Sequence, residues 1–156
     1  MVTFRMARQQ TDMLRTDIKL RLQLKLSDRF DDVRMMRSRK RLAEQLLRDA
    51  PHEDIREDVM NFFEDMGLFF ELEYLDERFV WGTFSFYVTR WWSACKDYII
   101  EERIRQNSDQ SLFSKFGCLA ERVYEIGVKE LKRTRAEQEP SPDEIRDFLL
   151  DESRLA

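Results

Sequence analysis

Hydrophobic residues recur along most of this chain at the three- and four-residue spacing of amphipathic α-helices. One segment departs from that spacing, because apolar and polar residues alternate between Ile18 and Leu26 as they do in a half-buried β-strand. Most residues of this segment are good helix formers, and no second alternating segment exists in the sequence to pair with it. We therefore predict a first helix over about Thr3 to Leu26 and an all-α fold.

On a helix, the alternation places apolar side chains on two nearly opposite sides. Ile18, Leu22 and Leu26 share one side, and Leu20 and Leu24 share the other. A helix with two apolar sides needs cover on both. Either it lies between two layers of its own domain, or one side meets another chain.

Two helices follow with their own start signals. Ser27 or Asp28 is a plausible N-cap for the second helix, which carries Val33 inward and ends near Asp49. Pro51 suits the first turn of the third helix, because proline is well tolerated at that position. Gly67 is expected to cap or bend this third helix.

The most informative segment is a long aromatic helix, capped by Asp76, from Glu77 to about Gln106. Phe79 and Phe86 lie outside its broad apolar arc. We predict that this is the central helix of a bundle of about five to six helices. The residues on the arc are Val80, Trp81, Phe84, Tyr87, Val88, Trp91, Trp92, Cys95, Tyr98 and Ile99.

A fifth helix is predicted from Leu112 to about Arg133. Gly117 and Gly127 lie on its apolar arc, where small residues allow another helix to approach closely. We expect residues 1–134 to form one helical domain.

The C-terminal segment, residues 135–156, is predicted to be a linker followed by a short helix docked on the same domain. Ser141 and Pro142 mark the start of that helix, and Glu144 completes a capping box.

Composition and charge agree with a folded helical domain. The chain is 42% hydrophobic with only 4 Gly and 3 Pro, which is too apolar for disorder and too poor in turn residues for a many-stranded β fold. Residues 1–50 contain 13 basic and 7 acidic side chains, whereas the remainder contains 14 basic and 24 acidic ones. The two regions either neutralise each other or attract separate partners.

Cys95 and Cys118 both fall in apolar stretches, where an unpaired cysteine behaves as a small hydrophobe. Neither a signal peptide nor a run of 18 apolar residues is present. These features favour the cytoplasm.

Catalytic and metal-binding motifs are not evident in the sequence. His52 lies beside Glu53 without a second histidine, so we expect a solvent-exposed side chain rather than a ligand or a base. Carboxylates such as Glu71, Glu73 and Asp76 are typical of a solvated helix face. No glycine-rich phosphate loop, GxSxG or CxxC motif occurs, so we predict no cofactor and no catalytic residue, and enzymatic activity stays open.

A cluster of five cations in the second helix is the most specific surface feature. Such a cluster can bind a phosphate backbone, an acidic lipid surface or an acidic protein face, or form salt bridges within the fold. Its members are Arg34, Arg37, Arg39, Lys40 and Arg41.

Trp91 and Trp92 suggest a ligand pocket with Arg90 or Lys96 at its rim, although aromatic residues at helical spacing are more often core. Such a pocket would be the place to look for an unrecognised enzyme.

Aromatic, Asp and Trp positions are prominent in NFFEDMGLFFELEYLDERFVWGTFSFYVTRWW (residues 61–92), Tyr98, Ile99, Arg103 and residues 113–120. In these positions the sequence resembles an uncharacterised bacterial helical family that is classed only as a domain of unknown function. The similarity covers about residues 10–125 and implies an all-helical fold without a known active site. Members often carry a membrane-spanning segment before this domain, which implies a cytoplasmic module near the inner membrane, but this chain has no such segment.

The sequence thus favours a cytoplasmic helical protein-protein interaction or scaffold module that self-associates. We expect the contact to involve Leu20 and Leu24 of the two-sided helix, the aromatic outliers Phe79 and Phe86, or both. Binding of nucleic acid or acidic lipid through the cation cluster is the alternative.

Overall fold

A computed structural model describes the backbone of residues 2–155 and the side chains of residues 5–155. It confirms the all-α prediction, and no strand occurs in these residues. A 3₁₀ turn (His52–Asp54) precedes the third helix, and a π-helical turn (Val80–Phe84) joins the fourth to the fifth. The helices are α1 (Val2–Asp31), α2 (Val33–Leu47), α3 (Asp58–Glu71), α4 (Glu77–Phe79), α5 (Ser85–Arg105), α6 (Ser114–Leu131), α7 (Arg135–Gln138) and α8 (Pro142–Glu152).

The first helix is longer than predicted. The N-cap expected at Ser27 or Asp28 is wrong, because α1 continues for another turn and buries Phe30 in the core. Asp32 is the N-cap of α2 instead, and its carboxylate accepts a hydrogen bond from the Arg34 amide at 2.6 Å. With the boundary moved, Val33 is exposed rather than buried as predicted.

The loop between α2 and α3 is also longer than predicted. Pro51 precedes the 3₁₀ turn, and α3 begins only at Asp58. The buried Gln45 side chain fixes this loop, since its amide donates to the Asp54 carbonyl at 2.5 Å and accepts from the Arg56 amide at 3.2 Å. A buried side chain that bonds two loop backbone groups stabilises an irregular segment.

The aromatic helix has a π turn near its start rather than uniform α geometry. This wider turn places Val80 and Phe84 in the core, and both are buried. Asp76 has the extended backbone of an N-cap, but its side chain bonds Lys19 of α1 at 3.3 Å instead of capping the helix.

The core is built from the apolar faces of α2, α3, α5, α6 and α8, with the end of α1 added. Phe62 and Phe63 of α3 are fully buried and meet edge to face with ring centroids 5.2 Å apart. Phe116 of α6 stacks on Phe63 at 5.1 Å. Trp91 of α5 is also fully buried, as expected for the aromatic arc.

Close contact between α3 and α6 depends on Gly67. Gly67 does not cap α3, which was one of the two predicted roles, but lies buried within that helix against the Lys115 backbone of α6. A Cβ atom at Gly67 would overlap the Lys115 carbonyl, so only glycine allows this approach.

The N-terminus of α6 is capped from another helix. Phe113 occupies the N-cap position with a left-handed backbone (φ 53°) and provides no capping side chain. Glu64 of α3 replaces it, since its carboxylate accepts from the Lys115 amide at 3.2 Å and the Phe116 amide at 2.7 Å. A carboxylate at this position also opposes the positive end of the helix dipole.

The glycines predicted to allow close packing on α6 meet side chains. A Cβ atom at Gly117 would lie 3.0 Å from the Trp92 ring. One at Gly127 would lie 2.9 Å from the Trp81 ring and would overlap the Gln138 side chain.

The capping box at Ser141 is confirmed: the Glu144 amide donates to the serine oxygen at 3.2 Å, and the Glu144 carboxylate accepts from the Ser141 amide at 2.8 Å. Thr134 and Glu137 form a second capping box, so part of the expected linker is the one-turn helix α7. α8 packs along α2 and also contacts α5.

Candidate functional site

The N-terminal half of α1 extends beyond the bundle. Every side chain from residue 5 to residue 18 is exposed. Leu22 and Leu26 pack against the core, whereas Leu20 and Leu24 are 53% and 65% exposed. The sequence left open whether α1 lies between two layers of its own domain or meets another chain. Within the described part of the chain, no second layer covers Leu20 and Leu24.

α1 exposes several large apolar side chains along its length. A helix without tertiary contacts is only marginally stable in water, because its stability in proteins comes mainly from packing. Six large apolar side chains are exposed: Met6, Met13, Leu14, Ile18, Leu20 and Leu24.

A groove of about 320 Å³ lies where the extension meets the body. Leu72 and Tyr74 in the turn after α3 are 54% and 45% exposed there. Between them Glu73 is exposed in a left-handed conformation (φ 62°), and no cationic nitrogen of the described residues lies within 4 Å of its carboxylate. The groove is lined by Arg15, Ile18, Lys19, Leu72, Glu73 and Tyr74.

The two aromatic outliers differ in exposure. Phe79 is partly buried against the core, with its ring edge-on to Phe84 at 5.6 Å. Phe86 is 50% exposed, and the Arg90 guanidinium lies 3.8 Å above its ring. Phe86 also meets Phe148 of α8 at 5.8 Å.

One member of the predicted cation cluster is not on the surface. The Arg39 side chain is only 5% exposed and forms a bidentate salt bridge with Glu152, which is 7% exposed. Arg39 Nε lies 2.7 Å and Nη2 lies 2.6 Å from the two carboxylate oxygens. The guanidinium also lies 4.1 Å from the Phe30 ring centroid and 5.1 Å from that of Tyr87. Arg39 therefore joins α2 to α8 and is unavailable to a ligand.

The other cations of α2 do point outward. Arg34, Arg37 and Arg41 are exposed, and Lys40 is half-exposed. Arg48, which follows α2, continues the same side at the seven-residue spacing from Arg41, a position that sequence reasoning missed. Within the described residues none of these five side chains has a carboxylate within 4 Å.

Neutralisation between the basic N-terminal region and the acidic remainder is partial. Besides the buried Arg39 pair, Lys19 bonds Asp76 at 3.3 Å and Arg29 bonds Asp65 at 3.0 Å. The exposed arginines of α2 take no part in it.

His52 is also placed differently from the prediction. Its side chain is 15% exposed rather than solvated, and it stacks on Tyr98 with centroids 4.3 Å apart. Nδ1 lies 3.2 Å from the Glu101 carboxylate, and Nε2 bonds Glu102. The Tyr98 hydroxyl in turn donates to Glu57 at 2.8 Å. These partners lie about fifty positions from His52 in sequence, so no local motif reveals them.

The groups of this cluster satisfy one another. The Gln106 amide, which donates at 2.7 Å, and the bond from His52 lower the pKa of Glu102. Burial, and then the bond to the Glu57 carboxylate, raise the pKa of Tyr98. Within residues 2–155 no group of three or more His, Cys, Asp or Glu side chains is arranged to hold a metal ion. The cluster fixes the 3₁₀ turn to α5.

The tryptophan pair is packed into the bundle. Trp91 meets Phe148 edge to face at 5.1 Å, and Trp92 meets Phe116 at 5.2 Å. Neither Trp91 nor Trp92 lines the cleft of about 610 Å³ between α2, α5 and α8, although Lys96 does. The two tryptophans are also absent from the cleft of about 710 Å³ beside α3 and α6.

The two cysteines differ in environment. Cys95 is buried, as predicted, and burial raises the pKa of its thiol to about 12. Cys118 is exposed, so the expectation of a buried small hydrophobe is wrong there. Both are free thiols.

The fold and these surfaces define an all-α bundle whose first helix is only partly packed. No helix in the described part of the chain is long and apolar enough to cross a membrane. The chain belongs to the DUF4760 family, a domain of unknown function whose model matches residues 1–123. The resemblance to a family of unknown function is thereby confirmed. No curated protein and no solved structure matches the chain.

Proposed function

We propose that this protein is a cytoplasmic helical interaction module that associates with a second copy of itself through α1. The observation that carries the proposal is the extension of α1, whose side chains from residue 5 to residue 18 have no cover in the single chain. A surface that is apolar on two sides of one helix is suited to contact with another protein.

Energetics support this use of α1. Each large apolar side chain contributes about 1.5–3 kcal/mol when it is fully buried. One α1–α1 contact covers one side of the helix, and the exposed apolar pair on that side, either Leu14 with Ile18 or Leu20 with Leu24, occurs twice in a symmetric dimer. Burial of these four side chains is comparable in size to an association cost of about 4–15 kcal/mol.

The compartment is supported by the thiols. Cys95 and Cys118 are both unpaired. Free cysteines, one of them exposed, are typical of proteins in a reducing cytoplasm.

Self-association is tested by sedimentation equilibrium of the full chain from low to high micromolar concentration. Two charge insertions, Leu14→Glu with Ile18→Glu and Leu20→Glu with Leu24→Glu, probe the two apolar sides of α1. We expect wild type to be dimeric and at least one double variant to be monomeric, because a buried carboxylate opposes association. A monomeric wild type, or a dimer unaffected by both variants, would contradict the proposal.

A matched control is available on α5. Ile100 and Ile104 are 44% and 66% exposed and have the same four-residue spacing. Ile100→Glu with Ile104→Glu should leave the dimer intact, which separates loss of the α1 contact from a general effect of added charge.

A second candidate function is binding of anionic phosphate groups, from nucleic acid or lipid, by the exposed arginines of α2, which are Arg34, Arg37 and Arg41. The observation that favours it is the absence of carboxylate partners for Arg34, Arg37 and Arg41 among the described residues. Exposed arginines that are not neutralised within the fold attract phosphates.

Binding of DNA, RNA and anionic vesicles at 50 and 200 mM salt tests this candidate. Three phosphate contacts on duplex DNA should weaken binding about 40-fold over that range. Replacing Arg34, Arg37 and Arg41 with glutamine should abolish binding, whereas glutamine at the exposed Arg105 and Arg146 should not. Binding that is insensitive to salt or to the α2 variant would exclude it.

A further inference from the structure

One side of the α1 extension has the spacing of a helix-pairing seam. Ala7, Thr11, Leu14 and Ile18 follow one another at intervals of four, three and four residues, which places them in a line on the helix. All four are exposed. The line is asymmetric, with small residues in its N-terminal half and large ones in its C-terminal half.

This asymmetry favours antiparallel pairing of two copies. With the two-fold axis between residues 12 and 13, Ala7 of one copy opposes Ile18 of the other, and Thr11 opposes Leu14. Each small residue then meets a large one, which fills the seam evenly. Parallel pairing would set Ala7 against Ala7 and Thr11 against Thr11, which leaves the N-terminal half of the seam underpacked.

The groove beside the seam supplies a place for the second copy's N-terminal turns. Ile18 belongs both to the seam and to the groove wall, and Leu72 and Tyr74 form its exposed apolar part. In the antiparallel arrangement, residues 7–11 of the second copy lie next to this groove. The body therefore contributes apolar surface to the contact as well as α1.

The arginines beside the seam require a carboxylate in this arrangement. Arg8 and Arg15 are seven residues apart and flank the seam on one side. Antiparallel pairing brings Arg8 of one copy towards Arg15 of the other, and these like charges need a carboxylate between them. Glu73 lines the groove together with Arg15, is exposed, and has no cationic partner within the described residues.

We infer that two copies of this chain pair α1 against α1 in antiparallel orientation, with Arg8 of each copy bound to Glu73 of the other. The inference rests on the proposed self-association and specifies its surface. By two-fold symmetry the Arg8–Glu73 contact forms twice, once at each end of the seam.

Cysteine cross-linking tests the orientation. In a Cys118→Ser background, one chain carries Ala7→Cys and a second carries Ile18→Cys. Mild oxidation of an equimolar mixture should give the mixed disulfide dimer and little of either homodimer, because like positions are separated by about eleven residues, or roughly 16 Å along the helix. Homodimers in place of the mixed dimer would show parallel pairing and overturn the inference.

A charge exchange tests the Arg8–Glu73 contact. Glu73→Arg should raise the dimer Kd about tenfold, because it removes the carboxylate between Arg8 and Arg15 and adds a third positive charge at each end of the seam. Adding Arg8→Glu to this variant should return the Kd to near the wild-type value. A Glu73→Arg variant without effect, or a double variant no tighter than Glu73→Arg, would overturn the inference.

The outcomes also separate this inference from the proposed function. A dimer that is dissociated by Leu20→Glu with Leu24→Glu but not by Leu14→Glu with Ile18→Glu keeps self-association and overturns the antiparallel seam. A monomeric wild type overturns both.

Discussion

Replacing Arg39 with alanine is expected to lower the free energy of unfolding by about 3–5 kcal/mol, because it leaves the Glu152 carboxylate buried without its partner. The change also removes a cation from above the Phe30 and Tyr87 rings. Urea denaturation followed by tryptophan fluorescence measures the loss. Arg37→Ala, which alters an exposed arginine of the same helix, should change stability by less than about 0.5 kcal/mol.

A paired replacement distinguishes charge from packing. Arg39→Met together with Glu152→Leu removes both charges and keeps most of the volume, so it should restore much of the stability lost by Arg39→Ala. If Arg39→Ala unfolds at the wild-type urea concentration, the ion pair does not hold α8 on α2.

Gly67→Ala is expected to lower the free energy of unfolding by about 3 kcal/mol. The new Cβ atom overlaps the Lys115 carbonyl, and a backbone group cannot move aside as a flexible side chain does. α3 and α6 therefore have to separate, which loosens the contact between the rings of Phe63 and Phe116. Thermal unfolding by circular dichroism measures the effect.

The same substitution at Gly82 is its control. No atom lies within 4 Å of a Cβ built there, and the site is exposed in the π turn. Gly82→Ala should be neutral or slightly stabilising, because alanine restricts the unfolded chain more than glycine does. Equal losses at Gly67 and Gly82 would show that the α3–α6 approach is not the cause.

Local signals predicted much of the fold. Ser141, Pro142 and Glu144 lie within four positions of one another, so the start of α8 can be predicted from the local sequence alone. The aromatic arc of α5 was also predictable, because the buried residues of an amphipathic helix recur every three or four positions.

Contacts between residues far apart in the sequence could not be predicted. Arg39 and Glu152 are separated by 113 positions, so the sequence placed Arg39 among surface cations. His52 meets Glu101 and Glu102 only after the 3₁₀ turn folds onto α5. Nothing in the sequence around Gly67 indicates its contact with Lys115, because the close approach depends on how α3 and α6 pack together.

The candidate interaction surface was predicted in part. The alternation from Ile18 to Leu26 showed that α1 has two apolar sides, but only the packing of Leu22 and Leu26 shows which side the bundle covers. The position of Glu73 beside Arg15 depends on the turn after α3, which the sequence does not orient.

The salt bridge between Arg39 and Glu152 has a consequence for where the chain can be cut. The segment matched by the family model stops at residue 123, in the middle of α6, whereas Arg39 depends on a carboxylate in α8. A truncation at that boundary would strand the guanidinium in an apolar interior and uncover one face of Trp91. We therefore expect the cooperative folding unit to be longer than the stretch by which the family is recognised, and a stable recombinant fragment to extend through Glu152.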